Sequence, residues 1–237
     1  MRKEAKMEER YTDGTYLEKN PGWHVEESAW KAKQITQMLR RHNLSLETIC
    51  DVGCGVGEVL NELQKRVNDR CELWGYDISP QAIALSAPRA NERLHFKLTD
   101  IRQEQSASFD LILLMDVIEH LEDYFSFLRA IKPKGQYKIL HIPLDLSVQT
   151  LLRPNGLLWV HESYGHIHYF TKEIAIKLLQ DAGYEVLDSF YTSRALETPT
   201  QLLGRKLLHF PRKFFFAINQ DFATRLLGGF SLLVLAT

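Results

Sequence analysis

An excess of charge of either sign is missing from this chain. Its 29 lysines and arginines stand against 30 aspartates and glutamates over 237 residues, a formal net charge of −1. With no whole-molecule field to draw phosphates, no nucleic-acid partner is expected. Cysteine is scarce as well. Cys50, Cys54 and Cys71 are too few and too irregularly placed for a disulfide framework. Cys50 and Cys54 fall on a strand and its turn, where a zinc knuckle does not fit, so all three read as reduced, buried thiols. Long apolar runs are absent too. None approaches the ~18 residues needed to cross a bilayer. The opening MRKEAKMEER is charged throughout, unlike a secretory signal. A cytoplasmic protein is the expectation.

What is present is an alternation of two periodicities. After a polar lead, apolar residues recur at helical spacing from Glu26 to Arg41. Short apolar runs then alternate with helical stretches. ETICDVG (47–53), CELWGYDI (71–78), LHFKLTDI (94–101), FDLILLMDV (109–117), QYKILHIP (136–143), YEVLDSFY (184–191) and FSLLVLAT (230–237) read as strands. Ser79-Pro80 and Thr171 read as helix starts and Gly183 as a stop. This order predicts an α/β, doubly wound, Rossmann-like sheet with helices on both faces. Two parts are expected: an N-terminal segment and lid helix over 1–45, and a main domain over 46–237 that carries a helical insertion at 194–228.

The informative segment is DVGCGVGE at 51–58, which leaves a strand and enters a helix. Gly53, Gly55 and Gly57 let the backbone turn sharply and approach a ligand. The spacing is G-x-G-x-G rather than the dinucleotide G-x-G-x-x-G, and Glu58 stands where the third glycine belongs. A carboxylate there disfavours a pyrophosphate. Asp51, Asp77 and Asp100 end three successive strands. Asp77 is placed to accept ribose hydroxyls, and Asp100 to accept from an adenine amine with Ile101 against the ring. An acid-lined site suits a cationic sulfonium bearing an α-ammonium group better than a diphosphate.

With these residues in place, the chain resembles the class I S-adenosylmethionine-dependent methyltransferases over roughly residues 30–192. DVGCGVGE, GYDIS, LTDI and FDLILLMDVIEHLED carry the resemblance, in order. It implies seven strands with the last antiparallel, and S-adenosyl-L-methionine as cofactor with S-adenosyl-L-homocysteine as product. Asp51, Gly53, Cys54, Gly55 and Gly57 would surround the methionine half. Asp77 and Ile78 would border the ribose, Asp100 and Ile101 the adenine, and Met115 and Asp116 would approach from the fourth strand. A nicotinamide- or flavin-dependent oxidoreductase on the same fold, and a non-catalytic cofactor-binding protein, are the competing readings.

Methyl transfer needs alignment and exclusion of water more than a fixed constellation. A base for the acceptor is sought in HESYGHIHYF (161–170), where His166 and His168 share a face if extended, with His161 and Tyr164 nearby. Those histidines ordering the loop before Thr171 is the plainer reading. A metal ion there would need a further ligand that nothing in the sequence fixes, so no metal is assigned. His120 follows the fourth strand, with Glu119 and Glu122 expected to satisfy backbone donors. Tyr11, Tyr16, Trp23 and His24 are candidate lid residues. The insertion mixes Leu and Phe with Arg205, Lys206, Arg212 and Lys213, and Pro211 is expected to split it into two short helices. It reads as an apolar cap over a small, hydrophobic or aromatic acceptor, or as a peripheral contact with an anionic membrane through 202–218. O-methylation is preferred over N- or C-methylation.

Overall fold

The computed structural model describes residues 11–14, 17, 18, 20, 22, 23 and 25–197, the backbone of 203–208, and 209–237 in full. The chain enters through α1 (Val25–Arg41), whose Glu26 and Glu27 at one end and Arg40 and Arg41 at the other complement the helix dipole. Then come β1 (Thr48–Val52), α2 (Glu58–Leu63), β2 (Glu72–Asp77), α3 (Pro80–Ser86), β3 (Leu94–Leu98), β4 (Phe109–Met115) and α4 (Tyr124–Ile131). After them come β5 (Gly135–Pro143), α5 (Val148–Leu152), α6 (Gly156–Tyr164), α7 (Lys172–Asp181) and β6 (Val186–Thr192). The chain ends through α8 (Arg194–Glu197), α9 (Leu203–Ile218), α10 (Gln220–Leu227) and β7 (Ser231–Ala236).

The strands form one sheet in the order β3-β2-β1-β4-β5-β7-β6. Neighbouring strands among β1–β5 pair in parallel, whereas β7 runs antiparallel to both β5 and β6. Period-2 alternation along the central strands sends their alternate residues into different cores. Cys50, Ile112, Leu114, Leu140 and Val234 pack with Phe127, Leu128 and Ile131 of α4 and with Leu178 and Leu179 of α7. On the opposite face Ile49, Leu73, Leu111, Leu113, Ile139 and Leu235 pack with Ala32, Ile35 and Met38 of α1 and Leu60 and Leu63 of α2. Sequence order reverses between β1 and β4, which opens a crevice at their carboxyl ends.

The expectation for Pro211 is overturned. α9 runs through it without a break, and the helix boundary falls instead at Asn219, whose side chain accepts from Phe222 N at 2.9 Å to cap α10. Within the insertion, Arg194 and Ala195 line the crevice, whereas α10 packs beside α5. No described helix is long and apolar enough to cross a membrane.

Candidate functional site

The crevice is a cleft of ≈ 740 Å³ running from the glycine turn to the α6 end. At its base the turn after β1 is tied to β2: Gly53 N and Cys54 N donate to Tyr76 O at 2.8 and 3.1 Å. Gly55 stands at φ 54°, and a Cβ there would meet the Trp23 ring at 3.2 Å. Gly57 stands at φ 76°, and a Cβ there would lie 2.3 Å from Phe96. Gly57 therefore serves packing between turn and β3 and is absent from the cleft wall, while Gly53, Cys54 and Gly55 form that wall. Glu58 is ion-paired with Arg89 and accepts from Asn61, so its charge is less exposed to the turn than the motif alone suggests.

The three strand-end aspartates part company. Asp51 is 2% exposed, and its Oδ1 has no hydrogen-bond partner among the described residues. Burial, opposed by Lys31 and reinforced by Asp77 and Asp116, pushes its carboxyl up to about 8. Asp77 accepts from Gly55 N and Ser79 N, each at 2.8 Å, through different oxygens. The carboxylate keeps lone-pair capacity for a ligand hydroxyl beyond these backbone donors. Burial raises its pKa against the backbone donors of Ser79, Gly55 and Ile78. Ile78 lies on the wall beside it. Asp100 is placed differently from the expectation: it accepts from Arg102 N and pairs with the Arg102 guanidinium at 2.6 Å. Neither Asp100 nor Ile101 lines the cleft; Ile101 is buried in the core, and Arg102 takes their place on the wall. The reason is local, since Asp100 caps the short 3₁₀ turn Ile101–Gln103.

From the fourth strand, Met115 and Asp116 do reach the cleft. Asp116 stands at φ 61°, an uncommon conformation for a residue with a Cβ. It is held by Lys31 Nζ at 2.6 Å and by His141 Nδ1, and His141 Nε2 lies 3.0 Å from Thr192 Oγ1. Burial alone would raise its pKa, but His141 and Lys31 more than offset this and hold the carboxyl below the usual range. Sequence reasoning missed Lys31, although it shares the inward face of α1 with Ser28 and Ile35. Trp30, from the same helix, also borders the cleft, and its buried Nε1 has no partner among the described residues.

At the far end, His120, Tyr164 and His166 line the cleft. His166 Nδ1 is 2.7 Å from Asp145 Oδ2, and its Nε2 is 4.0 Å from Glu119 Oε1. Asp145, two residues past β5, went unnoticed in the sequence. Glu119 overturns the capping expectation: it is fully buried, and neither carboxylate oxygen has a hydrogen-bond partner among the described residues. His168 is not part of this wall. Its Nε2 meets Leu121 O at 2.9 Å and its ring packs edge-on to Tyr124, because a histidine two positions along an extended segment lands against α4. His161 sits on α6, with Nδ1 at His166 O. Of the lid residues, Tyr11 and Trp23 lie on the cleft. Tyr16 and His24 lie outside the described residues.

Comparison with known proteins places this geometry. A ubiquinone biosynthesis O-methyltransferase of Schizosaccharomyces pombe is 30% identical over 129 residues, 49% of this chain and 46% of that protein. O-methyltransferase 3 of Dictyostelium discoideum is 23% identical over 79% of this chain and 47% of its own length. The chain thus spans about half the length of these curated relatives. Among solved structures, the plantazolicin methyltransferase BpumL, in complex with a monoazolic desmethylPZN analog and SAH, superposes with a TM-score of 0.63 at 16% identity. That match covers 98% of this chain and 93% of the other. Magnesium protoporphyrin IX methyltransferase of Synechocystis PCC 6803 with bound SAH superposes with a TM-score of 0.57 at 17% identity, over 88% and 81%. The family described as "Methyltransferase domain" matches residues 20–189, from the lead before α1 to the middle of β6. A match of that extent, over a sheet of this order, makes the chain a member of the methyltransferase-domain family.

Proposed function

We propose that this protein transfers a methyl group from S-adenosylmethionine to a hydroxyl oxygen of a small, apolar or aromatic acceptor, leaving S-adenosylhomocysteine. The observation that carries the reading is the buried, unpartnered Asp51 Oδ1 below the glycine turn. Burial drives this carboxyl toward its protonated form, and a cationic donor such as the α-ammonium group of a methionine moiety would restore the carboxylate and answer its open lone pairs. Asp77 would hold the ribose, while Gly53 and Gly55 let the backbone close on the ligand. When bound, the group supplies an electrophilic methyl on a positively charged sulfur. The chain's own residues then orient the partners and exclude water, with Trp23 over the turn and Lys31 and His141 fixing Asp116.

The acceptor is set against the wall of His120, Tyr164 and His166. With Nδ1 held by Asp145, His166 offers Nε2 to the acceptor hydroxyl. The relatives named as O-methyltransferases support oxygen as the methylated atom. The test is turnover on lipid and polar extracts with radiolabelled cofactor. His166→Ala should lower kcat ~100-fold while leaving S-adenosylhomocysteine affinity intact. Near-normal turnover would reduce His166 to a structural part.

The helices outside the cleft favour an acceptor met at a membrane surface. Phe210, Phe214, Ile218 and Phe222 on α9 and α10 are exposed, as are Leu151, Leu152, Leu158 and Trp159 on the adjacent α5 and α6. Exposed Arg153 and Lys213 accompany them, a combination suited to an anionic lipid interface. In this reading α9 and α10 of the insertion are a peripheral membrane contact rather than a cap.

A further inference from the structure

We propose that α8 is a movable strap across one rim of the crevice, latched to α1 by polar pairs at both of its ends and lifted when a ligand enters or leaves. Arg194 and Ala195 of α8 line the cleft, and so does Glu27 of α1. The Arg194 guanidinium meets Glu27 Oε1 at 2.7 Å, with Glu26 at 3.9 Å, so one ion pair joins two walls of the cleft. At the other end of α8, Glu197 accepts from Lys33 Nζ at 2.9 Å and from Gln34 Nε2 at 2.9 and 3.2 Å.

Three features argue for a strap rather than a fixed wall. The first is how little else holds it. None of the four residues of α8 is buried, and the amides of Leu196 and Glu197 both return to Ser193 O, at 3.1 and 3.3 Å. One tie comes from α9, where His209 Nδ1 donates to Ala195 O at 2.9 Å. A segment with so few buried contacts opens locally at small cost, and partly exposed ion pairs are weak enough to part often. The chain on both sides of α8, by contrast, is anchored. Thr192 and Ser193 are buried, with Thr192 Oγ1 3.0 Å from His141 Nε2 and Ser193 Oγ donating to Gly229 O at 3.0 Å. Beyond α8, the buried Arg212 donates to Gln149 Oε1 and Leu227 O at 3.1 and 3.2 Å. Finally, the groups assigned to the nucleoside lie deep, since Asp51 is 2% and Asp77 8% exposed. A ligand must pass a rim to reach them, and the rim at α8 is held by polar side chains rather than by a packed core.

The order of charges fits the same role. Arg194 opens α8 and Glu197 closes it, each at the end where the backbone dipole disfavours its sign. Local helix chemistry therefore does not explain them, whereas α1 does, with Glu26 and Glu27 in its first turn and Lys33 further along. Glu27 also lies 4.0 Å from Lys31 Nζ, whose ammonium holds Asp116 at 2.6 Å. The latch thus ends beside the cation that steadies the fourth-strand side of the cleft. What passes the rim rests on the transfer reading above; the latch itself does not.

The test follows S-adenosylhomocysteine in stopped flow through the fluorescence of Trp23 and Trp30, which border the cleft, with amide hydrogen exchange of the ligand-free full chain alongside. Arg194→Ala should raise the association and dissociation rate constants together by ~2–5-fold, the range for a partly exposed pair, with little change in Kd. Arg194→Glu, which sets like charges opposite Glu27, should raise both further, and adding Glu27→Arg should return both to within ~2-fold of the parent. In the ligand-free chain Arg194→Glu should speed exchange at Leu196 and Glu197 while the amides of β1 and β4 exchange as before, which shows the fold intact. Unchanged rate constants overturn the strap, as does a failure of the charge exchange to restore them. Faster dissociation with unaltered association overturns it too, by making Arg194 a ligand contact instead of a latch. If S-adenosylhomocysteine binds to no preparation, the transfer reading falls and hydrogen exchange decides the latch alone. Unaltered protection of Leu196 and Glu197 in Arg194→Glu then overturns it.

Discussion

Asp51 enters the folded state with its proton affinity raised from 3.8 to about 8, chiefly by burial. Because the folded pKa exceeds the unfolded one, the folded state holds the proton more tightly. Stability from this group is whole below about pH 4 and is lost progressively until about pH 8. Replacing Asp51 with Asn should therefore raise the melting temperature of the ligand-free protein at pH 8 and leave it unchanged near pH 4. Melts across that interval check it; parallel curves for parent and variant would contradict the assignment. Asp77→Ala, by contrast, should weaken S-adenosylhomocysteine binding by at least ~1–3 kcal/mol, read by calorimetry. These two aspartates were legible because they end strands beside a glycine turn. Asp100 also ends a strand, yet the next three residues turn immediately, and a carboxylate at the start of a turn serves the backbone first. Lys31 and Asp145 went unread for another reason: each matters through a partner far along the chain, Asp116 for one and His166 for the other. Single-chain spacing carries no trace of such pairs.

At the level of elements, the strands and their order followed from apolar runs separated by helical stretches, and the two cores followed from alternation along those runs. The glycine turn was recognisable too, but the division of labour among its glycines was not. Gly57→Ala should destabilise the protein by ~1–3 kcal/mol through the left-handed φ, with more from the Phe96 contact. Denaturant unfolding would measure it, and an unchanged midpoint would show that β3 yields easily. Pro211 teaches the opposite lesson. A proline in a helix interior removes one backbone donor and presses on the preceding turn, yet α9 continues past it to Ile218. The better boundary signal was Asn219, whose side chain can replace a lost backbone bond where proline only takes one away.

For the molecule as a whole, the sheet and the cleft were foreseeable, because the order of elements leaves one place where neighbouring strands diverge. What faces solvent was harder to read, since the same Leu and Phe content serves a cap or a surface. With α9 and α10 turned outward, the protein should float with vesicles of anionic lipid and not with neutral ones, and Phe210→Asp with Phe214→Asp should release it. Sedimentation with neither vesicle would leave the exposed rings without that role. The Lys31–Asp116 contact also has a consequence for anyone re-engineering the entry segment. Each residue of a helix advances ~100° about its axis. Adding a single amino acid between Lys31 and Ile35 would keep the downstream apolar stripe on the sheet and swing the ammonium group round to solvent. Asp116 would then keep only its contact with His141, and loading of the nucleoside should weaken in a protein that still folds.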